Sequence, residues 1–351
     1  MSLATFVQIS DLHVGLVDPT SSNARTAAWM RWPYLDGLLG HSGMSLRHLA
    51  NFVKNFKRTN PEGELIVTGD LTTRGDPQEY DIANEFISDK LRPPQGAYIG
   101  LGDKNWTNRG IPGNHDHWPG INPPPPTALP MLGPSHLDFA QIFPGLPKID
   151  PIIQLATGQR LQFLRIDTDV DVDPNDMDRI LARGLFVSHL TGLEQQLAKP
   201  SPDEIRVLCL HHSRQYKPTT RLLPILEIDG ASRKALDAFL SKHRISVLLC
   251  GHIHRPPALD LFKLKRSIIS TSDVLEVRCG TTTQIDLSLN PKPAFLTFRH
   301  FLKPHWPNTL VVHEVLWEQG KIMWSAELYV EDRENGFQPA PQGKFSFPVW
   351  P

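Results

Sequence analysis

Residues 111–120, IPGNHDHWPG, crowd Asn114, His115, Asp116 and His117 into a loop that Pro112-Gly113 and Pro119-Gly120 hold stiff. Four other short stretches carry donors of the same kind: Asp11-Leu12-His13, Gly69-Asp70, His211-His212 and Gly251-His252-Ile253-His254. Asp, Asn and His together offer oxygen and imidazole nitrogen without thiolate. That mixture suits manganese, iron or zinc in a hydrolytic site, whereas structural zinc favours cysteine. Asp11, His13, Asp70, Asn114, His211, His252 and His254 make seven side chains, too many for one ion. A carboxylate such as Asp70 can bridge two ions roughly 3.5–4 Å apart. Any one of these motifs is common as a turn or a surface feature; their meaning lies in the set.

The set must be brought together, and its placement along the chain shows how. Short apolar runs recur at 4–10 (ATFVQIS), 64–69, 161–167, 205–210 and 246–250, each of a length that fits a buried strand. The donors follow the ends of such runs. In open α/β sheets the carboxyl ends of parallel strands line one crevice, so several such ends can aim at one point. Helical patterns lie between the runs. From Ser45, read as an N-cap, Leu46, Leu49, Phe52, Val53 and Phe56 repeat at helical spacing. Asp76-Pro77-Gln78-Glu79 reads as N-cap, N1 proline and capping-box glutamate, and a further helix spans 232–243 with Leu236, Phe239 and Leu240 buried. Strands alone follow: 267–272, 282–289, 295–301, and 308–330 with a hairpin at Glu318-Gln319-Gly320-Lys321. The pattern predicts one α/β domain over 1–335 built on two packed mixed β-sheets flanked by helices, and an irregular tail at 336–351.

Composition narrows the class. The chain has 351 residues, 40% hydrophobic, with 36 basic against 37 acidic residues, so no long-range field favours long nucleic acid or a membrane surface. No apolar run is long enough to span a bilayer and the N-terminus lacks a signal-peptide pattern, so a cytoplasmic protein is expected. Cys209, Cys250 and Cys279 are too few and scattered for a disulfide framework and read as core thiols.

In order and strand context, D-x-H, G-D, G-N-H-D, H-H and G-H-x-H resemble the calcineurin-like metallophosphoesterase superfamily, over residues 4 to about 330. GDLTTRGDPQEY is similar to its cyclic-nucleotide and glycerophosphodiester phosphodiesterase branch. The resemblance implies a four-layer αββα fold and two metal ions, manganese, iron or zinc. Asp11, His13 and His254 would hold one ion and Asn114, His211 and His252 the other, with Asp70 bridging. It implies that His115 contacts the phosphoryl oxygen or protonates the leaving group, that Asp116 hydrogen-bonds that imidazole, and that a bridging hydroxide attacks phosphorus. The substrate expected is a small phosphate ester, a diester in preference to a monoester, with a nucleotide among the candidates. Alternatives are a nuclease of the same fold, an inactive scaffold, or a single-metal hydrolase using Asp11, His252 and His254.

Other residues read more plainly. His117 and Trp118 pack the loop in preference to touching substrate, His212 supports a neighbouring ligand or the core, and Arg74 is a solvated turn residue in preference to a phosphate contact. The run DTDVDVDPNDMD (167–178) lacks the glycine and closing glutamate of an EF-hand, so it reads as a solvated acidic loop, with Asp167 near the ligand crevice. Residues 16–44, with Arg25, Trp29, Arg31, Trp32 and Tyr34, and the proline-rich 119–134 stand as insertions beside the ligand motifs. They either roof the site or cover sheet edges.

Overall fold

The computed structural model describes residues 1–14, 41, 43–72, 75, 77–88, 91, 98–117, 141–173, 182–215, 227–253, 267–269, 272–283, 308–332 and 334–350. Two mixed sheets form the centre. In the first, β1 (Ser2–Ile9), β2 (Glu64–Thr68) and β3 (Gly110–Ile111) run parallel. The antiparallel strands β11 (Thr309–Glu318), β12 (Lys321–Asp332) and β13 (Gly336–Trp350) extend it beyond β1. In the second, β6 (Arg160–Arg165), β7 (Glu204–Cys209), β8 (Ile245–Cys250) and β10 (Ser272–Arg278) are parallel. Short antiparallel strands β4 (Lys148–Ile149), β5 (Ile153–Gln154) and β9 (Ser267–Ile269) flank them.

Alternation along the strands sorts side chains into three apolar layers. Phe6, Ile66, Val311 and Trp324 from one sheet meet Phe163, Val207, Val247 and Leu275 from the other. On the far side of the first sheet, Val7, Ile9, Leu65 and Val67 pack under α1 (Gly43–Thr59) and α2 (Pro77–Ile87) through Leu46, Leu49, Val53 and Phe86. On the far side of the second, Leu164, Leu208 and Leu248 pack under α3 (Val187–Gln196) and α4 (Gly230–Lys242) through Leu190, Leu193, Leu236 and Phe239. The order is helix, sheet, sheet, helix, the four-layer arrangement that the resemblance implies. A buried ionic link crosses the sheets: Arg165 Nη1 donates to Gly110 O at 2.7 Å while its Nε pairs with Asp150 Oδ1 at 3.0 Å. The three cysteines are buried free thiols.

Several elements depart from the expectation. Ser45 is no N-cap: α1 begins at Gly43, and the Ser45 hydroxyl, two residues inside, donates to Glu331 Oε2 at 2.7 Å. The cap that does form is Asp229 on α4, which accepts from Ala231 N and Ser232 N, so this helix starts at Gly230. Of the strand expected over 267–272, Ser267–Ile269 form β9 and Ser272 opens β10, which continues to Arg278 through a stretch not read as a strand. The hairpin turns at Gln319 (φ 51°) and Gly320 (φ 80°), as a two-residue primed turn requires.

The tail expected to be irregular is a strand: β13 pairs with β12 from Gly336↔Asp332 to Trp350↔Ile322. Its alternation of Phe345, Phe347 and Val349 with Lys344 and Ser346 carries the strand period. The prolines that argue against a strand are tolerated because β13 lies at a sheet edge, where the missing N–H costs no ladder bond. Asp76, Arg74, Trp118, the segments 284–289 and 295–301, residues 16–40 and the insertion 119–134 lie outside the described residues.

Candidate metal centre

The parallel strands of both sheets end on the same side, and each end breaks into a tight turn. Asp11 (φ 52°), His13 (φ 49°), Asp70 (φ 52°) and His252 (φ 66°) all take the left-handed backbone conformation that non-glycine residues rarely adopt. Such strain is held by surrounding bonds: Asp11 N donates to Gly69 O at 2.9 Å, His13 N to Asp70 O at 3.0 Å and Gly251 N to His211 O at 3.0 Å. These turns aim the side chains inward across the seam between the sheets.

Asp70 sits at the middle. Its Oδ1 accepts from His115 N at 2.8 Å, and its Oδ2 lies 3.2 Å from His211 Nε2 and 3.9 Å from His13 Nε2. Donor atoms of His13, Asp70 and His115 fall within 4.8 Å of one another, as do those of Asp70, His211 and His252. Asp70 belongs to both groups, which is the placement a bridging carboxylate needs. Its Oδ2 is fully buried with no hydrogen-bond partner among the described residues; such an atom calls for a cation. Asp11 Oδ1 stands 3.9 Å from His13 Nε2, and its Oδ2 accepts from His252 N at 3.1 Å.

The ring of His211 is fixed in one orientation. Its Nδ1 is 2.7 Å from Thr68 O, which can only accept, so Nδ1 carries the hydrogen. Nε2 then faces Asn114 Oδ1 at 3.2 Å and Asp70. Burial disfavours an imidazolium here, yet the Asp70 carboxylate pulls its pKa up to about 10. Burial likewise disfavours an Asp70 carboxylate, but His211, His115 and His13 hold its pKa well below the usual range. The cluster thus attracts positive charge at its centre.

Two glycines make room. A Cβ on Gly113 would run into the Asp70 side chain and backbone nitrogen and into His211 Cε1, and one on Gly251 into Ser10 Oγ, Asp11 Oδ2 and Thr68 O. Of the seven candidate ligands, Asp11, His13, Asp70, Asn114, His211 and His252 are buried in this one cluster, and His254 lies outside the described residues.

Asp116 has a different part from the one expected. Its carboxylate accepts from Gly113 N (3.0 Å), Leu71 N (3.2 Å), Thr72 N (3.0 Å) and Thr72 Oγ1 (2.9 Å), which spends both oxygens on fastening the 113–117 turn to the loop after Asp70. Tyr80 Oη adds a 2.6 Å bond to Asp116 O. His115 is fastened through its backbone N–H to Asp70 Oδ1, and its ring meets that of His13 edge-on at 4.8 Å between centroids.

Asp167 lies at the crevice as expected, but burial continues into the acidic run read as solvated, as far as Asp169. Asp167 and Asp169 are buried; Asp167 Oδ2 pairs with His117 Nε2 at 2.7 Å and its Oδ1 accepts from Asp169 N at 2.8 Å. Burial opposes an imidazolium at His117, but Asp167 raises its pKa to about 9. His212 lies behind the cluster, with Nδ1 2.7 Å from Thr168 Oγ1, Nε2 3.1 Å from Ala182 O and its ring 4.1 Å from that of His252. Thr72, Thr168 and Asp169 were not readable as site supports, because their partners are distant in sequence.

A two-sheet α/β sandwich whose strand ends gather a histidine–carboxylate cluster is the frame of a metal-dependent hydrolase. The calcineurin-like phosphoesterase family model matches residues 4–256, and the chain belongs to that family, whose chemistry is metal-dependent hydrolysis of phosphate esters. No curated protein matches the chain. Strands β11, β12 and β13 fall beyond the matched residues yet complete the first sheet. No helix among the described residues is long and apolar enough to cross a membrane.

Proposed function

We propose that this protein is a dinuclear phosphodiesterase acting on a small, soluble phosphate diester, with a nucleotide among the candidate substrates. The observation that carries the reading is the sharing of Asp70 between two groups of donor atoms. The donor chemistry fits two ions: oxygen and imidazole without thiolate, around a buried carboxylate oxygen that lacks a hydrogen-bond partner. Asp11, His13 and Asp70 would hold one, joined by His254, and Asp70, Asn114, His211 and His252 the other; manganese, iron and zinc all suit this set. When bound, such a pair supplies Lewis acidity and a hydroxide nucleophile at neutral pH.

The chain's own residues do the rest. Thr68 O fixes the His211 tautomer, and Asp116 locks the turn that carries Asn114 and His115. His115 stands edge-on to His13 at the cluster's margin, where its imidazole can donate to a phosphoryl oxygen or to the departing ester oxygen. The similarity of GDLTTRGDPQEY to the phosphodiesterase branch, with the near-neutral charge, favours a small diester over long nucleic acid. A cytoplasmic location belongs to the same reading. Hydrolysis of bis(p-nitrophenyl) phosphate, its monoester counterpart and single-stranded DNA, each in manganese, tests it. Diester turnover is expected to exceed the other two; turnover of the monoester alone, or of DNA alone, overturns it.

A further inference from the structure

A line of buried polar side chains crosses the apolar layer between the sheets and ends at the candidate metal centre. Trp324 Nε1 donates to His313 Nδ1 at 3.0 Å, and His313 Nε2 is 3.0 Å from Gln8 Oε1. Gln8 Nε2 reaches Thr68 Oγ1 at 3.1 Å and Cys250 O at 3.0 Å, and Thr68 Oγ1 donates to Ile9 O at 3.3 Å. All four side chains are fully buried. Polar groups in such a layer cost stability unless each is satisfied.

Chemistry sets the direction of every bond. An indole N–H only donates, so His313 Nδ1 accepts and its hydrogen sits on Nε2, which donates to Gln8 Oε1. The amide of Gln8 is thereby oriented with its NH2 toward Thr68 and Cys250 O, and a carbonyl can only accept. The Thr68 hydroxyl, accepting from Gln8, donates to Ile9 O. No rotamer or tautomer is left free along the line.

The endpoints are the backbone segments under the ligands. Thr68 O receives His211 Nδ1–H at 2.7 Å and Ser10 Oγ–H at 3.1 Å, and Cys250 lies two residues before His252. Gln8 thus ties β1, β2 and β8, strands of both sheets, at the points from which Asp11, Asp70 and His252 turn inward. We infer that Trp324, His313, Gln8 and Thr68 form a positioning line that sets the Asp70–His211–His252 group for its metal ion. Two of the four, His313 and Trp324, lie beyond the residues matched by the family model. A partner bonded directly to a ligand typically changes metal affinity about 10–100-fold when lost, and these side chains act through Thr68 and Cys250, so the low end of that range is expected.

The inference rests on the dinuclear reading, and the test separates the two. Apo protein is titrated with Co2+ and followed by absorption and calorimetry, with thermal unfolding recorded in parallel. Wild type is expected to take up two ions. His313→Leu, which leaves Gln8 Oε1 without its donor, should weaken one of the two about tenfold and leave the other near its wild-type value; His313→Gln, which can donate to Gln8, should restore it. Gln8→Leu should weaken the same ion further, and if it fails to fold, the pair of variants at 313 decides. Wild-type affinities for both ions in His313→Leu, or losses in Leu and Gln variants alike that follow their melting temperatures, overturn the positioning line alone. A wild-type protein that takes up fewer than two ions overturns the dinuclear reading and this inference with it.

Discussion

Asp70 Oδ2 lies 3.2 Å from His211 Nε2 across the seam between the two sheets, with both side chains buried. The two residues end strands of different sheets, so the position of an ion between them depends on how the sheets pack. Four expectations follow from the residues around this contact and from the layer beneath it.

Asp70→Ala should abolish binding of both ions, because the donor atom common to the two groups is removed. Asp70→Asn separates charge from packing: it can still accept from His115 N, as Oδ1 does now at 2.8 Å, but supplies no anion. Metal content per chain of each variant, measured on folded protein, checks this. One ion retained at full occupancy in Asp70→Ala contradicts the bridge.

His115→Ala should keep metal content close to wild type and slow turnover by about 10²–10⁴-fold, most for esters with poor leaving groups. His115 also contributes a donor atom to the group with His13 and Asp70. Loss of an ion in this variant would therefore reassign it from substrate contact to ligand, and metal analysis beside the rate against leaving-group pKa distinguishes the two.

Gly113→Ala should damage the site with little change in global fold. The added methyl meets Asp70 Oδ1, the Asp70 backbone nitrogen and His211 Cε1; the backbone atom cannot swing aside, and the two side chains are held by His115 N and Thr68 O. Overpacking of this kind typically costs about 1–3 kcal/mol. Circular dichroism should be near wild type while metal uptake falls; unchanged uptake would mean the turn relaxes around the methyl.

His313 should make stability fall as the solution is acidified. Burial depresses its pKa to about 3, against about 6.5 in an unfolded chain. The folded state therefore prefers the neutral ring, and its contribution is whole above pH about 6.5. Below that it is lost at up to about 1.4 kcal/mol per pH unit, as the unfolded chain takes up a proton that the folded one refuses. Urea unfolding at pH 7.0 and 5.5 should show wild type losing about 1 kcal/mol more than His313→Gln over that interval. Equal losses would place the proton in the folded ring.

The legible part of the site was its donor list. Asp11, His13, Asp70, His211 and His252 stand out because each follows an apolar run closed by a turn, and Asn114 because a Pro-Gly pair precedes its crowd of donors; these signals are local. The helices were legible for the same reason, through Leu236, Phe239 and Leu240 or Leu46, Leu49 and Val53 at helical spacing. Partners were not. Ser45 looks like a cap until Glu331, distant in sequence, is placed beside it. Asp116 looks like an orienter of its neighbour until Leu71 and Thr72 claim its oxygens. The prolines of β13 look like breakers until the strand is seen to lie at an edge.

The amino-acid order by itself determined the family, the alternation that builds two sheets between helices, and the kinds of atom offered at each strand end, because periodicity and turn chemistry act over a few residues. Only the tertiary structure decided which of those atoms meet and at what distances, and that a tryptophan and a histidine in the two strands before the last reach, through Gln8 and Thr68, the backbone under His211. Contacts between residues hundreds of positions apart are set by the packing of one sheet on the other, which no local pattern encodes.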